Sequence, residues 1–166
     1  MPSDIAEVLA SCAFFSQVER ASRTRLTRMA VRREFQKGEV IFREGDAGDG
    51  LFIVVKGSVR ISKQSATGEE ALAVLEPHAF FGEMALIDFS PRAADAIANE
   101  ALDLFFIPLK ELRTLIETNH QIAMKVLYAL CEALAQRLRE TNERYMSVFT
   151  IAQWGGSSQN GLIPLP

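Results

Sequence analysis

Residues 81–94 read FGEMALIDFSPRAA and interrupt a region of short apolar strands. Gly82 allows the backbone to approach a ligand closely, and it precedes a short helical turn predicted over Glu83–Asp88. The backbone N–H groups at the start of such a turn can bind an anion. Arg92 follows the turn fixed by Pro91 and supplies a planar guanidinium suited to phosphate oxygens. The segment therefore predicts a phosphate site.

The acidic residue in this segment, Glu83, restricts the class of ligand further. A carboxylate at Glu83 would be repelled by a bound phosphate unless it accepts a hydrogen bond from a sugar hydroxyl. Glu83 for the sugar and Arg92 for the phosphate together describe a nucleotide whose phosphate lies next to its sugar.

The region around this segment, from about Gly38 to Pro108, predicts a β-domain. Short runs rich in Val, Ile and Phe alternate with turn residues at intervals of about ten residues. The clearest of the predicted strands are Glu39–Phe42, Leu51–Val55, Ser58–Lys63, Ala71–Leu75, Ala93–Ala98 and Leu102–Ile107. Seven or eight such strands indicate a mainly β fold with flanking helices, an antiparallel β-roll or jelly-roll barrel.

Helical patterns flank the β-region on both sides. The first extends to about Glu34 and holds six arginines, which favour either a solvated helix face or a docking face for an acidic partner. After the strands, a short helix is predicted over Leu109–Glu117. We expect residues 1–120 to form the β-domain with its N-terminal helices, 121–151 a long helix, and 152–166 a flexible tail.

The long helix carries an apolar seam with heptad spacing. Its members step by alternating fours and threes: Leu127, Cys131, Leu134, Leu138, Thr141, Tyr145 and Val148. Such a seam favours a parallel homodimer through the 121–151 helix. The alternative is that the stripe packs against the chain's own β-domain, at least over its first half.

Residues 81–94 closely resemble the phosphate-binding segment of cyclic nucleotide-binding domains, and the turns at residues 44–49 and 56–59 resemble that family's glycine-bearing turns. The resemblance implies that Glu83 binds the ribose 2′-hydroxyl and Arg92 the cyclic phosphate. It also implies a cAMP or cGMP ligand, with Ala93, where some members carry Thr or Ser, favouring cAMP. The other implied site residues are the backbone N–H groups of Gly82, Met84, Ala85 and Ala93, and the pocket floor at Ile61 and Leu75.

The long helix resembles the dimer helix of the catabolite-activator family, where a Thr-Ser pair reaches the adenine. Thr141 and Asn142 occupy the corresponding place. Relative to that family, the stretch between Asn119 and Leu138 is about four residues longer, roughly one helical turn. The extra turn argues against a base contact by Thr141.

Composition limits the function classes. The chain has 166 residues, a net charge of −3 and two cysteines without a CxxC motif, so we expect no metal site and no nucleic-acid binding through this chain alone. His78 and His120 are isolated, and no catalytic motif is present, so we expect no enzyme. Without a leader or long apolar run we expect a cytoplasmic protein and no membrane contact. The alternatives are a fragment or relative of a catabolite-activator-type transcription factor lacking its helix-turn-helix, and a degenerate domain that only dimerises.

Overall fold

The computed structural model describes residues 5–16 and 18–157. The helices are α1 (Ile5–Ser11), α2 (Ala13–Ser16), α3 (Arg20–Met29), α4 (Met84–Asp88), α5 (Leu109–Thr118) and α6 (His120–Ser157). The strands are β1 (Val31–Phe35), β2 (Val40–Phe42), β3 (Gly50–Lys56), β4 (Val59–Ser65), β5 (Gly68–Leu75), β6 (Phe80–Phe81), β7 (Asp95–Ala98) and β8 (Leu102–Pro108).

The strands form two four-stranded antiparallel sheets, in the orders β1-β8-β3-β6 and β2-β7-β4-β5. Their facing side chains make one apolar core, to which Phe52, Val54, Val59 and Leu104 belong. The mainly β fold with flanking helices predicted from the sequence is therefore confirmed.

β3 is a central strand of its sheet, and residues 50–54 of it are all buried. One face lies in the core between the sheets, and α4 and α5 pack against the same strand. A strand covered on both faces needs a continuous apolar run rather than alternation, which accounts for the sequence GLFIVV at this place. β3 thus fixes α4 and α5 relative to the core.

The helical prediction up to Glu34 is wrong in its last part. α3 ends at Met29, and residues 31–35 form β1, paired with β8 from Val31↔Phe106 to Phe35↔Leu102. The adjacent charged side chains of Arg32 and Arg33 interrupt the apolar alternation from which a strand is predicted. Arg33 places its guanidinium carbon 3.7 Å from the ring centroid of Phe106, and Arg32 forms an ion pair with Asp103 on β8. These two arginines therefore belong to the sheet and not to a helix face.

The chain divides into two compact units, Met1–Leu130 and Cys131–Pro166. The first turns of α6 belong to the first unit, where Ile122, Val126, Ala129 and Leu130 are buried. The second unit contains the rest of α6. The predicted boundary near residue 120 thus falls at the start of α6, whereas the compact units divide ten residues later.

The flexible tail predicted over residues 152–166 is wrong at its start, because α6 continues to Ser157. Extending an existing helix by one residue costs far less than starting a new one, so the helix passes the predicted end at Ile151. Residues 158–166 lie outside the described residues.

Two kinds of feature are absent from the described residues. No helix there combines the length and apolar character required to cross a membrane. Within residues 5–16 and 18–157 no group of three or more His, Cys, Asp or Glu side chains is arranged to hold a metal ion.

Candidate functional site

The segment 81–94 leaves β6 through a backbone conformation that glycine permits. Gly82 has a φ of +81°, and a Cβ atom at this position would collide with the guanidinium of Arg92. Glu83 follows as the N-cap of α4 and is 1% exposed. Any other residue at position 82 would therefore strain the turn and displace Arg92.

Arg92 is buried, with 5% of its surface exposed. Its Nη1 donates to the carbonyl oxygen of Gly82 at 3.0 Å, and its Nη2 donates to the carbonyl oxygen of Gly50 at 2.9 Å. The same Nη2 forms an ion pair with Oδ1 of Asp49 at 2.8 Å. These contacts fix the plane and the position of the guanidinium.

The Nε donor of Arg92 is not used by these contacts. Its Nε is buried and has no hydrogen-bond partner among the described residues. The guanidinium carbon lies 4.2 Å from the ring centroid of Phe42, which covers one face of the cation. A buried, unpaired N–H is costly, and an incoming anion would satisfy it.

Burial lowers the pKa of Arg92 from its usual value, and the hydrogen bond and charge of Asp49 oppose that shift. An arginine whose pKa is somewhat lowered is still a cation at neutral pH. The site therefore presents a permanent positive charge with limited access to water, which strengthens its interaction with an anion.

Asp95 holds the loop that carries Asp49. Its Oδ1 accepts from the backbone N–H of Glu44 at 2.7 Å, and its Oδ2 pairs with Nη1 of Arg43 at 2.9 Å. The hydrogen bond from Glu44 and the charge of Arg43 lower the pKa of Asp95. The backbone of Arg92 joins the same loop, accepting from Gly45 N and donating to Asp46 O. The loop at residues 43–49 and the arginine are thus one hydrogen-bonded assembly.

The other site residues predicted from the sequence lie on α4, directly after Arg92, and on β4 and β5. Met84 and Ala85 are the first two residues of α4, and Ala93 is exposed directly after Arg92. Ile61 on β4 and Leu75 on β5 are partly buried and pack on the core. Thr141 lies in the second unit, and its hydroxyl donates to the carbonyl oxygen of Arg137 in its own helix.

Sequence reasoning gave no site role to Asp49, Phe42, Asp95 or Arg113. Arg113 of α5 donates from Nη2 to the carbonyl oxygen of Ala85 at 2.7 Å. No spacing in the sequence could have shown the long-range contacts of these residues, because those contacts depend on how the sheets close. The only local signal was the acid-rich turn at residues 44–49.

The family model of the cyclic nucleotide-binding domain matches residues 32–119. A CRP-like cAMP-activated global transcriptional regulator of Mycobacterium tuberculosis is 31% identical over 137 residues, which are 82% of this chain and 59% of the regulator. A cGMP-dependent protein kinase of Toxoplasma gondii is 35% identical over 94 residues, 57% of this chain and 9% of the kinase.

Among solved structures, a cyclic nucleotide-binding domain from Methylobacillus flagellatus superposes with a TM-score of 0.75 at 26% identity, covering 87% of this chain and 82% of that one. The chain spans about three fifths of the length of the mycobacterial regulator and a small part of the kinase. The matched region includes the whole segment 81–94 and the loop at residues 43–49.

Proposed function

This chain belongs to the cyclic nucleotide-binding domain family, and we propose that it is a non-catalytic regulatory module that binds cAMP in preference to cGMP. Binding is transmitted through α5 and α6. The observation that carries the proposal is the arrangement of Arg92, a buried cation with one N–H unsatisfied among the described residues. The cyclic phosphate is the anion that this N–H and the neighbouring backbone N–H groups would bind.

The segment 82–93 supplies the contacts to the nucleotide. Arg92 and the backbone N–H groups of Gly82, Met84, Ala85 and Ala93 bind the phosphate. The carboxylate of Glu83, buried at the start of α4, accepts a hydrogen bond from the ribose 2′-hydroxyl. Ile61 and Leu75 contribute the apolar floor.

The preference for cAMP rests on position 93. The relatives include proteins named for cAMP and for cGMP, so family membership alone leaves the base open. Ala93 is exposed beside Arg92 and carries no hydroxyl that could bond to guanine. The adenine of cAMP has no need of such a donor.

Calorimetric titration tests this proposal. The wild-type chain should bind cAMP more tightly than cGMP. Ala93→Thr should strengthen cGMP binding by about fivefold, the value of one added hydrogen bond, while cAMP affinity changes less than twofold. Heat from neither nucleotide would overturn the function, and tighter binding of cGMP by the wild type would overturn the preference.

Glu83→Gln should weaken cAMP binding by about three- to tenfold, since the amide keeps the shape of the side chain but accepts a weaker hydrogen bond. A 2′-deoxy analogue of cAMP should bind the wild type more weakly and lose little more in the variant. Titration of both proteins with both nucleotides forms a double-mutant cycle. Penalties that simply add would show that Glu83 does not contact the 2′-hydroxyl.

The homodimer through α6 is part of the proposal. In the first turns of α6 the buried residues are Ile122, Val126, Ala129 and Leu130, whereas Leu127 of the seam is 51% exposed. Further along, Leu138, Tyr145 and Val148 are 61%, 68% and 66% exposed. An exposed apolar stripe with heptad spacing fits a second copy of the same helix.

A second candidate function is a part or relative of a catabolite-activator-type transcription factor. The similarity to the mycobacterial regulator over 82% of this chain favours it. With a net charge of −3, this chain alone should not shift duplex DNA in a mobility assay, with or without cAMP. A cAMP-dependent shift would favour the transcription-factor reading.

The two free cysteines, Cys12 and Cys131, suit a reducing compartment, and we propose that the protein is cytoplasmic.

A further inference from the structure

An arginine of α5 contacts the segment 81–94. Nη2 of Arg113 donates to the carbonyl oxygen of Ala85 at 2.7 Å, and its guanidinium carbon lies 3.7 Å from the ring centroid of Phe89. Ala85 is in the first turn of α4, and Phe89 is its C-cap. One side chain of α5 therefore contacts both ends of α4.

Ala85 lies between this arginine and the phosphate side of the site. It is 4% exposed, and the loop at residues 43–49 packs so closely on it that a Cβ atom on Gly48 would overlap its methyl group. Its N–H is one of the groups proposed to bind the phosphate, while its carbonyl oxygen accepts from Arg113. A displacement of Ala85 would therefore change both the proposed contact with the phosphate and the hydrogen bond from Arg113 of α5.

Two features of Phe89 are unfavourable to the free energy of the folded protein. The residue is 74% exposed, and its backbone has a φ of +59°, a left-handed conformation that bulky residues seldom adopt. The stack on Arg113 covers one face of the ring and gives the guanidinium a favourable electrostatic contact. A strained, exposed aromatic residue held against a single cation is typical of a functional contact rather than of core packing.

Arg113 also retains a buried donor. Its Nε has no hydrogen-bond partner among the described residues. The guanidinium therefore has a spare N–H with which it can bond in a second arrangement if α4 moves.

We infer that Arg113 is a positioning residue that couples the phosphate segment to the helices that follow it. It holds Ala85 in place for the phosphate and transfers a displacement of α4 to α5, which runs directly into α6. The inference rests on the proposed function, because cyclic nucleotide binding at α4 is its input. It assigns to this side chain the regulatory link between ligand and output.

The test combines affinity with a readout of α5. Arg113→Ala should weaken cAMP binding by about tenfold, the combined effect of one charged hydrogen bond and one cation–π contact. Hydrogen exchange is then compared with and without saturating cAMP. In the wild type, cAMP should change exchange in residues 83–89 and in residues 109–118. In the variant the change in 83–89 should persist, and that in 109–118 should fall to less than half.

Lys110→Ala is the matched control, because it removes a cation from the exposed side of the same helix. It should behave as the wild type. Phe89→Leu should weaken cAMP binding about threefold, and its effect should not add to that of Arg113→Ala. If Arg113→Ala lowers the melting temperature strongly, Arg113→Lys and Phe89→Leu decide instead, each with a reduced response in 109–118.

The outcomes separate the two proposals. A wild-type chain that gives no heat with cAMP or cGMP contradicts the proposed function and removes the input to Arg113. A wild-type chain that binds, with Arg113→Ala showing unchanged affinity or an undiminished response in 109–118, contradicts the coupling alone. A purely structural role is also distinguished, since it would alter exchange in 109–118 without cAMP and leave the cAMP response intact.

Discussion

Arg92→Ala is expected to weaken cAMP binding by about 30- to 1,000-fold, corresponding to about 2–4 kcal/mol. The variant loses the only arginine of the segment 81–94. It removes a buried cation whose Nε is unpaired among the described residues. Because the site has limited access to water, no solvent interaction replaces that charge fully. Calorimetric titration of the purified variant with cAMP measures the loss.

The same substitution leaves other groups without their partner. The carbonyl oxygens of Gly82 and Gly50 lose a donor, and Asp49 loses its ion pair. Asp49 is exposed enough to be solvated, with 59% of its side chain accessible. We therefore expect a folded protein with a somewhat lower melting temperature, checked by circular dichroism.

Two further variants test whether the loss of affinity is specific to the guanidinium of Arg92. Arg92→Lys keeps the charge but loses the planar fork, so its affinity should lie between those of the wild type and Arg92→Ala. Arg28→Ala removes an exposed arginine of α3 and should leave the affinity unchanged. If Arg92→Ala binds cAMP as tightly as the wild type while remaining folded, Arg92 is not the phosphate ligand.

Leu134→Asp combined with Leu138→Asp should convert a dimeric chain into a monomer. The double variant places two carboxylates in the seam of each helix, and a parallel dimer would bring four of them together. Their desolvation and mutual repulsion would exceed the apolar contacts that they replace. Light scattering at tens of micromolar, with and without cAMP, should report a dimer for the wild type and a monomer for the variant.

A matched control adds the same charge on the other side of α6. At 100° per residue, Gln136 and Ser147 point away from Leu134 and Leu138, and both are exposed. Gln136→Asp with Ser147→Asp should remain dimeric. A wild-type chain that is monomeric under these conditions would rule out the dimer, and transmission would then have to occur within a single chain.

The sequence alone predicted the fold class, which the structure confirms, and it proposed Glu83 and Arg92 as the centre of the site. The strand-length apolar runs and their turns predicted a mainly β fold because alternation with turn residues is a local signal. Glu83 and Arg92 were identified for the same reason: a glycine, an acid and an arginine at fixed spacing have a chemical meaning that does not depend on the rest of the chain. The helical seam in α6 was equally local.

The tertiary structure decided what depends on residues distant in sequence. β1 is a strand because β8 offers it a partner, with Asp103 and Phe106 accommodating the charges of Arg32 and Arg33. A pattern within residues 31–35 could not show this, since the compensating groups lie some seventy residues later. The end of α6 was also misplaced, because a helix that is already formed extends at little cost.

The groups that surround Arg92 were decided in the same way. Asp49 meets Arg92, and Asp95 meets Arg43 and Glu44, only because the two sheets close over the core and bring the loop at residues 43–49 against the segment that carries Arg92. Arg113 reaches Ala85 because α4 and α5 pack on the same strand, β3. The local sequence specifies which functional side chains a segment carries. Long-range packing decides which other residues contact those side chains and orient them.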